Sequence, residues 1–354
     1  MTILAVAQGK ARYDILLGPL GASLDAIGRI ADGRLLPLVS DPDVFAIHGH
    51  RLKDVAALPP ILVPPGEAAK DWAGLQQVVD GLAARGVTRG TPVIALGGGS
   101  VGDLTGLAAA LYMRGNPVIH VPTTLLAQVD SAVGGKTAID SNGVKNLVGL
   151  FHPPALVVID PSLVDTLDKR QRIAGYAEIV KYGLIDDADF FAWCERHGRG
   201  VIDGDPDRRL HAVGHCVAAK ARIVAADPEE RSGIRALLNL GHSFGHAVEA
   251  ASGSLAHGEA VAVGIATAFR LSREHGLCPD ADVDRVVRHL ADVGLPTAIA
   301  DAGLDRRKLP DLMALDKKND GAGLTLILVR GIGRAFVERG VERSLVADFL
   351  LRTP

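Results

Sequence analysis

Three histidines, His242, His246 and His257, fall within residues 241–261, GHSFGHAVEAASGSLAHGEAV, a run whose remaining pattern is that of a core. The pattern over 243–251 predicts a helix, so His242 and His246, four apart, share one face about one turn from each other. Gly253 and Ser254 break that pattern and allow a turn, so that His257, opening the apolar run that follows, can come back to the same face. Neutral imidazole is the commonest nitrogen ligand of zinc-like ions, and three such groups with a carboxylate would make a catalytic site with an open position. One histidine beside an apolar helix is usually a hydrogen-bonded core residue; three in one run favour a bound charge. A carboxylate lies upstream at 173–185, IAGYAEIVKYGLI, which reads as an apolar helix carrying Glu178 and Lys181 three apart. That pair suits either a buried ion pair or a metal carboxylate with a lysine turned to a substrate anion.

A second chemical signal is rich in glycine. The strand-like PVIAL runs into Gly97, Gly98, Gly99, Ser100, Val101, Gly102 and Asp103, in which Gly97, Gly99 and Gly102 match G-x-G-x-x-G. Such a turn lets backbone N–H groups approach a pyrophosphate at the start of a helix. The motif is weak alone: it comes late in the chain, and no acid follows about twenty residues on, where VIHVPTT stands. Asp41, ending LLPLVSD, is an alternative ribose contact, and Glu67 and Lys70 sit where another strand ends. After Thr123 and Thr124 comes DSAVGGKTAIDSNGVKN. Its Gly135, Lys136 and Thr137 have the look of a P-loop tail, but Asp130 stands where that motif needs its first glycine. What remains is a long polar connection with Asp130, Lys136, Lys145 and Asn146, a placement typical of functional loops. Lys220 and Arg235, flanking a hydrophilic stretch, bring the fixed cations to more than a neutral alcohol needs, so an anionic substrate is expected.

The elements that must position these groups change character midway. From Tyr13 to about residue 160, short apolar β-like runs alternate with helical ones, the pattern of a parallel sheet with crossover helices. Beyond a proline-marked turn helical patterns dominate, and the boundary is placed at 166–170. A chain of 354 residues exceeds one ordinary core, so two domains are expected, 1–167 and 168–354. A net charge of −3 gives no general attraction to nucleic acid or membrane, leaving a small-molecule enzyme as the best class. Cys194, Cys216 and Cys278 lack metal or redox spacing and are expected to stay reduced. With no signal-like or bilayer-length apolar segment, the cytoplasm is the expected compartment.

Taken together, GGGSVGD, YMRG, VPTTLLAQVDSAVGGKTAID, GVKNLVG, GYAEIVKYG, RALLNLGHSFGHAVE, HGEAVAVG and DKKNDG resemble, in order, the 3-dehydroquinate synthase family of sugar phosphate cyclases. The likeness runs from about Leu35 to Gly333, and its co-linearity makes it specific. It implies a dehydroquinate synthase-like fold: an α/β N-terminal Rossmann-like domain, an all-α C-terminal domain, and an active site in the cleft between them, usually in a homodimer. The implied reaction converts 3-deoxy-D-arabino-heptulosonate 7-phosphate into 3-dehydroquinate and phosphate, a step of the shikimate pathway. It runs by transient oxidation with NAD, phosphate elimination, reduction and intramolecular aldol closure.

The resemblance also assigns residues. Glu178, His242 and His257 would hold zinc or cobalt, which moves His246 from the ligand set suggested by spacing to the substrate side. Lys145, Asn146 and a partner subunit's copy of Arg114 would hold the phosphate. Lys136, Lys220 and Arg235 would orient the carboxylate and other oxygens, with Asp130, Lys181, Asn239, His246 and Lys317 or Lys318 completing the pocket. For NAD it implies Asp41, Glu67, Lys70, Gly99, Ser100, Val101, Gly102, Asp103, Thr123, Thr124, Leu163, Val164, Asp165 and Thr166, with Lys136 and Lys145 adjoining. Departures are small: Pro228 stands where an acid is common, Ala256 precedes the histidine, and Asp41 falls where Asn is also frequent. The rival readings are a cyclase for an uncarboxylated sugar phosphate, a metal-dependent polyol dehydrogenase, and a non-catalytic descendant. Lys220, Arg235 and His246 together favour a carboxylated substrate, the Lys136-to-Asn146 stretch speaks against a dehydrogenase, and no ligand or cation is missing as a non-catalytic chain would require.

Overall fold

The protein is described from a computed structural model at residues 1–230, 233–314 and 323–353. Its contacts divide the chain into two units, Met1–Leu167 with Leu210–Glu229, and Asp168–Arg209 with Glu230–Pro354. The segment Leu210–Glu229 therefore groups with the first unit, where the sequence division kept all of 168–354 together.

The first unit holds strands β1 (Thr2–Gln8), β2 (Ala11–Leu17), β3 (Leu36–Ser40), β4 (Ala56–Leu62), β5 (Val93–Gly97), β6 (Val118–Pro122), β7 (Lys136–Ser141), β8 (Val144–Phe151) and β9 (Leu156–Ile159). Its helices are α1 (Leu24–Ala31), α2 (Pro42–His48), α3 (Trp72–Ala84) and α4 (Gly99–Leu111). Seven strands form one sheet in the order β1-β2-β9-β6-β5-β3-β4, with every pair parallel except the β1–β2 edge. Strands β3, β5, β6 and β9 are buried throughout, as a sheet covered on both faces demands. Side-chain alternation sends Val93 and Ala95 into the core under α3 and α4, and Ile94 and Leu96 into the opposite core, which includes Ile27 of α1. Successive connections run outward in opposite directions from β3 and β5, which makes their carboxyl ends the switch point where such sheets bind ligands.

The polar stretch after Thr124 is not the long loop expected from its composition. It folds as a π-helical turn, Ala127–Ser131, and an antiparallel hairpin of β7 and β8. Ser141 pairs with Val144 across Asn142 and Gly143, whose φ values of 54° and 75° are those of a tight primed turn.

In the second half are α5 (Lys169–Asp186), α6 (Ala188–Asp203), α7 (Pro206–Ala226), α8 (His242–Ser252), α9 (His257–Glu274), α10 (Asp280–Asp292), α11 (Leu309–Ala314) and α12 (Arg343–Arg352). This helical region also carries one antiparallel hairpin, β10 (Leu324–Val329) with β11 (Ala335–Val341), which an all-α reading omits. Glycines let α5, α8 and α9 approach closely. A Cβ on Gly258 would fall 1.9 Å from the Ala174 carbonyl oxygen of α5, and one on Gly264 would fall 1.9 Å from that of Gly241. Among the described residues no helix is long and apolar enough to cross a membrane.

Candidate active site

The break at Gly253 falls where the glycine pattern put it: α8 ends there with φ 62°, and α9 starts at His257. His242 and His257 are each the first residue of a helix, and the side chain of Glu259 accepts the Ala256 N–H at 2.8 Å to fix the start of α9. Glu178 reaches the same place from the middle of α5. One ligand atom each from Glu178, His242 and His257 lie within 4.8 Å of one another. The Nε2 atoms of His242 and His257 are 3.5 and 3.7 Å from Glu178 Oε1. One carboxylate and two imidazoles, with no fourth protein ligand among the described residues, is the donor chemistry of a catalytic zinc-type site, so these residues fit such an ion. His246 is exposed, with its ring centroid 5.3 Å from that of His242, and lies outside this set among the described residues. Of the three histidines and a carboxylate that the sequence offered, the cluster contains His242, His257 and Glu178 and leaves out His246.

The electrostatics are steep. Glu178 and Lys181 are completely or almost completely buried and form an ion pair one turn apart on α5. Burial and the Lys181 ammonium hold His242 well below the ordinary imidazole pKa, leaving it neutral and able to ligate. Burial opposes the charging of His257 too, but hydrogen bonds to Glu178 and Glu249 outweigh it and push its pKa up to about 9. Glu249, on the His242 face of α8, accepts from His257 Nδ1 at 3.1 Å and was missed by the sequence reading. Its signal was available: 242, 246 and 249 fall on one helical stripe. Arg235 is buried at the start of a 3₁₀ turn that ends at Asn239, whose amide donates to the Ala236 carbonyl.

In the first unit the glycine run joins β5 to α4 at the sheet's switch point. Cβ atoms on Gly98 and Gly99 would come 3.0 Å from Thr124 Cγ2 and Ser131 Oγ, so the absence of side chains keeps this crevice open. Thr123 Oγ1, at the end of β6, and Ser40 Oγ, at the end of β3, are buried polar atoms with no hydrogen-bond partner among the described residues. Orphaned hydroxyls at the carboxyl ends of flanking strands fit a polar ligand such as a dinucleotide. Glu67 accepts from Ser100 Oγ at 2.6 Å. Lys70 Nζ donates to Asp103 at 2.7 Å and to Asn146 Oδ1 at 2.6 Å. Burial pushes the Asp103 carboxyl up and disfavours the Lys70 charge, yet Lys70's own pKa is raised by Asp103 and Glu67; the short contact keeps the pair ionised. Asp41 spends one carboxylate oxygen capping α2 through Val44 N–H, and the side chains of Leu163 and Val164 are fully buried in the core. Asp165 and Thr166 close that turn, with Thr166 Oγ1 3.0 Å from His48 Nε2.

Lys220 donates to both the carboxylate and the backbone carbonyl of Asp130 in the π-helical turn. Lys136, Lys145 and Asn146 are exposed along the β7–β8 hairpin, and Arg114 is exposed just after α4. Asn146 and Arg114 hold left-handed backbones, with φ of 51° and 68°, a conformation that non-glycine residues adopt mostly where surrounding structure imposes it. Asp140 Oδ1 accepts the Asn146 N–H at 2.7 Å and supports that conformation. Lys317 and Lys318 lie outside the described residues.

A dinucleotide-type parallel sheet joined to a helical unit with a carboxylate–histidine cluster defines a nucleotide- and metal-using class of fold, and a solved relative makes the likeness concrete. The chain superposes with a TM-score of 0.88 on a 2-epi-5-epi-valiolone synthase from Streptomyces hygroscopicus subsp. jinggangensis, solved with NAD+ and Zn2+ bound, at 30% identity over 98% of this chain and 97% of that one. The N-terminal and C-terminal 3-dehydroquinate synthase family models match residues 60–174 and 175–319. A 3-dehydroquinate synthase of Caulobacter vibrioides is 47% identical over 98% of this chain and 97% of its own length. Another from Zymomonas mobilis is 52% identical over 82% and 78%. The chain belongs to the 3-dehydroquinate synthase family.

Proposed function

We propose that this chain converts 3-deoxy-D-arabino-heptulosonate 7-phosphate into 3-dehydroquinate and phosphate, as a phosphate-eliminating lyase that uses NAD and one divalent metal. The observation that carries the reading is 47% identity to a 3-dehydroquinate synthase along nearly the whole of both chains. The site chemistry supports it through the Glu178, His242 and His257 cluster and the orphaned hydroxyls around the glycine turn.

When bound, a zinc- or cobalt-type ion supplies Lewis-acid polarisation of the substrate oxygens and NAD supplies a reversible hydride acceptor. The protein's own groups do the rest. Glu178, His242 and His257 are the metal ligands, and Lys181 balances the buried charge of Glu178 while directing an ammonium toward the substrate. His246, outside the ligand set, is a substrate-side proton donor or acceptor. Lys145, Asn146 and the partner subunit's Arg114 hold the phosphate. Lys136, Lys220 and Arg235 orient the carboxylate, with Asp130 holding the Lys220 ammonium and Asn239 and Lys317 or Lys318 completing the substrate contacts. Asp41, Glu67, Lys70, the 99–103 turn, Thr123, Thr124 and the 163–166 turn bind NAD. Phosphate bound between fixed cations leaves more readily because the charge it gains is already matched. The working form is a cytoplasmic homodimer. Its support is the set of exposed apolar side chains Leu111, Met113, Leu147, Leu150 and Phe151 in the unit that carries Arg114.

The test offers 3-deoxy-D-arabino-heptulosonate 7-phosphate, sedoheptulose 7-phosphate and glucose 6-phosphate separately, with NAD and zinc, and identifies the cyclic product. Phosphate release from the carboxylated sugar alone, without net NADH, is expected. Release only from a neutral sugar would make the chain a different cyclase, and NADH accumulating from a polyol would make it a dehydrogenase.

A further inference from the structure

The two imidazoles of the candidate metal centre are supported differently on the side away from Glu178. His242 Nδ1 lies 3.3 Å from the carbonyl oxygen of Leu240, a neutral acceptor two residues away. His257 Nδ1 lies 3.1 Å from Glu249 Oε2, and the Glu249 side chain is only 12% exposed. A carboxylate can only accept, so the Nδ1 that faces Glu249 carries a proton, and Nε2, 3.7 Å from Glu178 Oε1, is the nitrogen that would turn its lone pair to a bound ion. The α8 stripe thus supplies His242 at its first residue and Glu249 two turns on, while Gly253 returns the chain so that the first residue of α9 meets that carboxylate.

Resting on the metal-dependent reading above, we propose that Glu249 is the positioning residue of the metal centre. It locks the His257 tautomer and ring orientation and makes that imidazole the more basic nitrogen ligand. A carboxylate behind a ligating histidine raises ligand basicity and fixes its ring, and losing such a partner typically costs about 10- to 100-fold in metal affinity. A pair that merely tied α8 to α9 would affect folding and leave the ion's coordination untouched.

The test measures zinc affinity of the full chain by competition with a chromophoric chelator, and the visible spectrum of the cobalt-loaded protein, both without substrate. Glu249→Gln keeps an amide oxygen able to accept from Nδ1 and removes the charge; Glu249→Ala removes both. Expected is a 10- to 100-fold loss of zinc affinity in Glu249→Ala, a smaller loss in Glu249→Gln, and a shifted cobalt spectrum in both. Glu249→Gln keeps the test valid if the alanine variant fails to fold. Wild-type affinity and an unchanged spectrum in Glu249→Gln, or in both variants, would overturn the proposal. If the wild-type chain itself takes up no stoichiometric zinc, the metal reading falls first and the role of Glu249 falls with it, an outcome distinct from a metal-binding wild type with unaffected variants.

Discussion

Gly258→Ala is the most discriminating perturbation of the metal centre, because it adds one methyl group beside a ligand without touching any donor atom. The new Cβ would fall 1.9 Å from the Ala174 carbonyl oxygen, 2.5 Å from its carbon and 2.9 Å from its Cα. Relief requires α9 and α5 to part by roughly 1 Å or more, since non-bonded heavy atoms settle at about 3.5–4.0 Å. Metal–ligand distances tolerate only about 0.2 Å, and Gly258 follows His257 directly while Ala174 lies one turn before Glu178. The displacement therefore acts on the separation of two ligands.

In energy, overpacking of this kind costs about 1–3 kcal/mol, against a helix-propensity gain of about 1 kcal/mol for replacing glycine by alanine. Gly28→Ala in α1 is the matched control: beyond its chain neighbours and its own helix backbone, no atom among the described residues lies within 4 Å of the added Cβ, so only the gain remains. Urea unfolding of the metal-free protein, followed by helical circular dichroism, should show Gly28→Ala stabilised by about 0.5–1 kcal/mol and Gly258→Ala neutral to destabilised. Zinc affinity should fall at least tenfold in Gly258→Ala and stay unchanged in Gly28→Ala. A Gly258→Ala protein that is stabilised like the control and binds zinc normally would refute the close-approach argument.

Two further predictions concern the first unit. Burial, aided by His152, holds His120 down at about 4 from an ordinary 6.5, so folding favours its neutral form. Its contribution is fully present above about pH 6.5 and is lost as pH falls toward 4, a loss of roughly 3 kcal/mol. Chemical denaturation across pH 4–7 should show a shallower decline for His120→Gln; an unchanged slope would show that His120 is not the responsible group. Lys70→Met should destabilise the protein by about 1–3 kcal/mol by leaving the partly buried Asp103 carboxylate without its buried cation, whereas adding Asp103→Leu should recover most of that loss. A double-mutant cycle with additive effects would contradict the ion pair seen at 2.7 Å.

Much of this site was legible because its residue types are rare in ordinary cores. His242, Glu178, His257 and the glycine turn stood out by chemistry, and α5 and the break at Gly253 followed from periodicity and a left-handed cap. Spacing within one helix offered His246 beside His242 and could not exclude it; the cluster of Glu178, His242 and His257 leaves it out because the packing of α5 on α9 through Gly258 brings Glu178 to the other two. The β7–β8 hairpin was misread as a loop because polar composition hid its alternation, although Asn142-Gly143 was a turn signal in plain view. Asp41 illustrates a different limit: a capping role and a ribose-binding role call for the same residue at a strand end, and only the bond from Val44 N–H displays the first. The grouping of Leu210–Glu229 with the sheet-bearing unit had no local signal, because a long helix reads the same whichever core it covers.

The metal centre is the claim on which the mechanism turns, and metal content tests it most directly. Zinc per chain should be measured by elemental analysis after dialysis for the wild type and for Glu178→Gln, His242→Ala, His257→Ala and His246→Ala. One equivalent in the wild type and in His246→Ala, with little or none in the other three, is the predicted result. Zinc lost from His246→Ala, or retained by Glu178→Gln, would contradict the assignment.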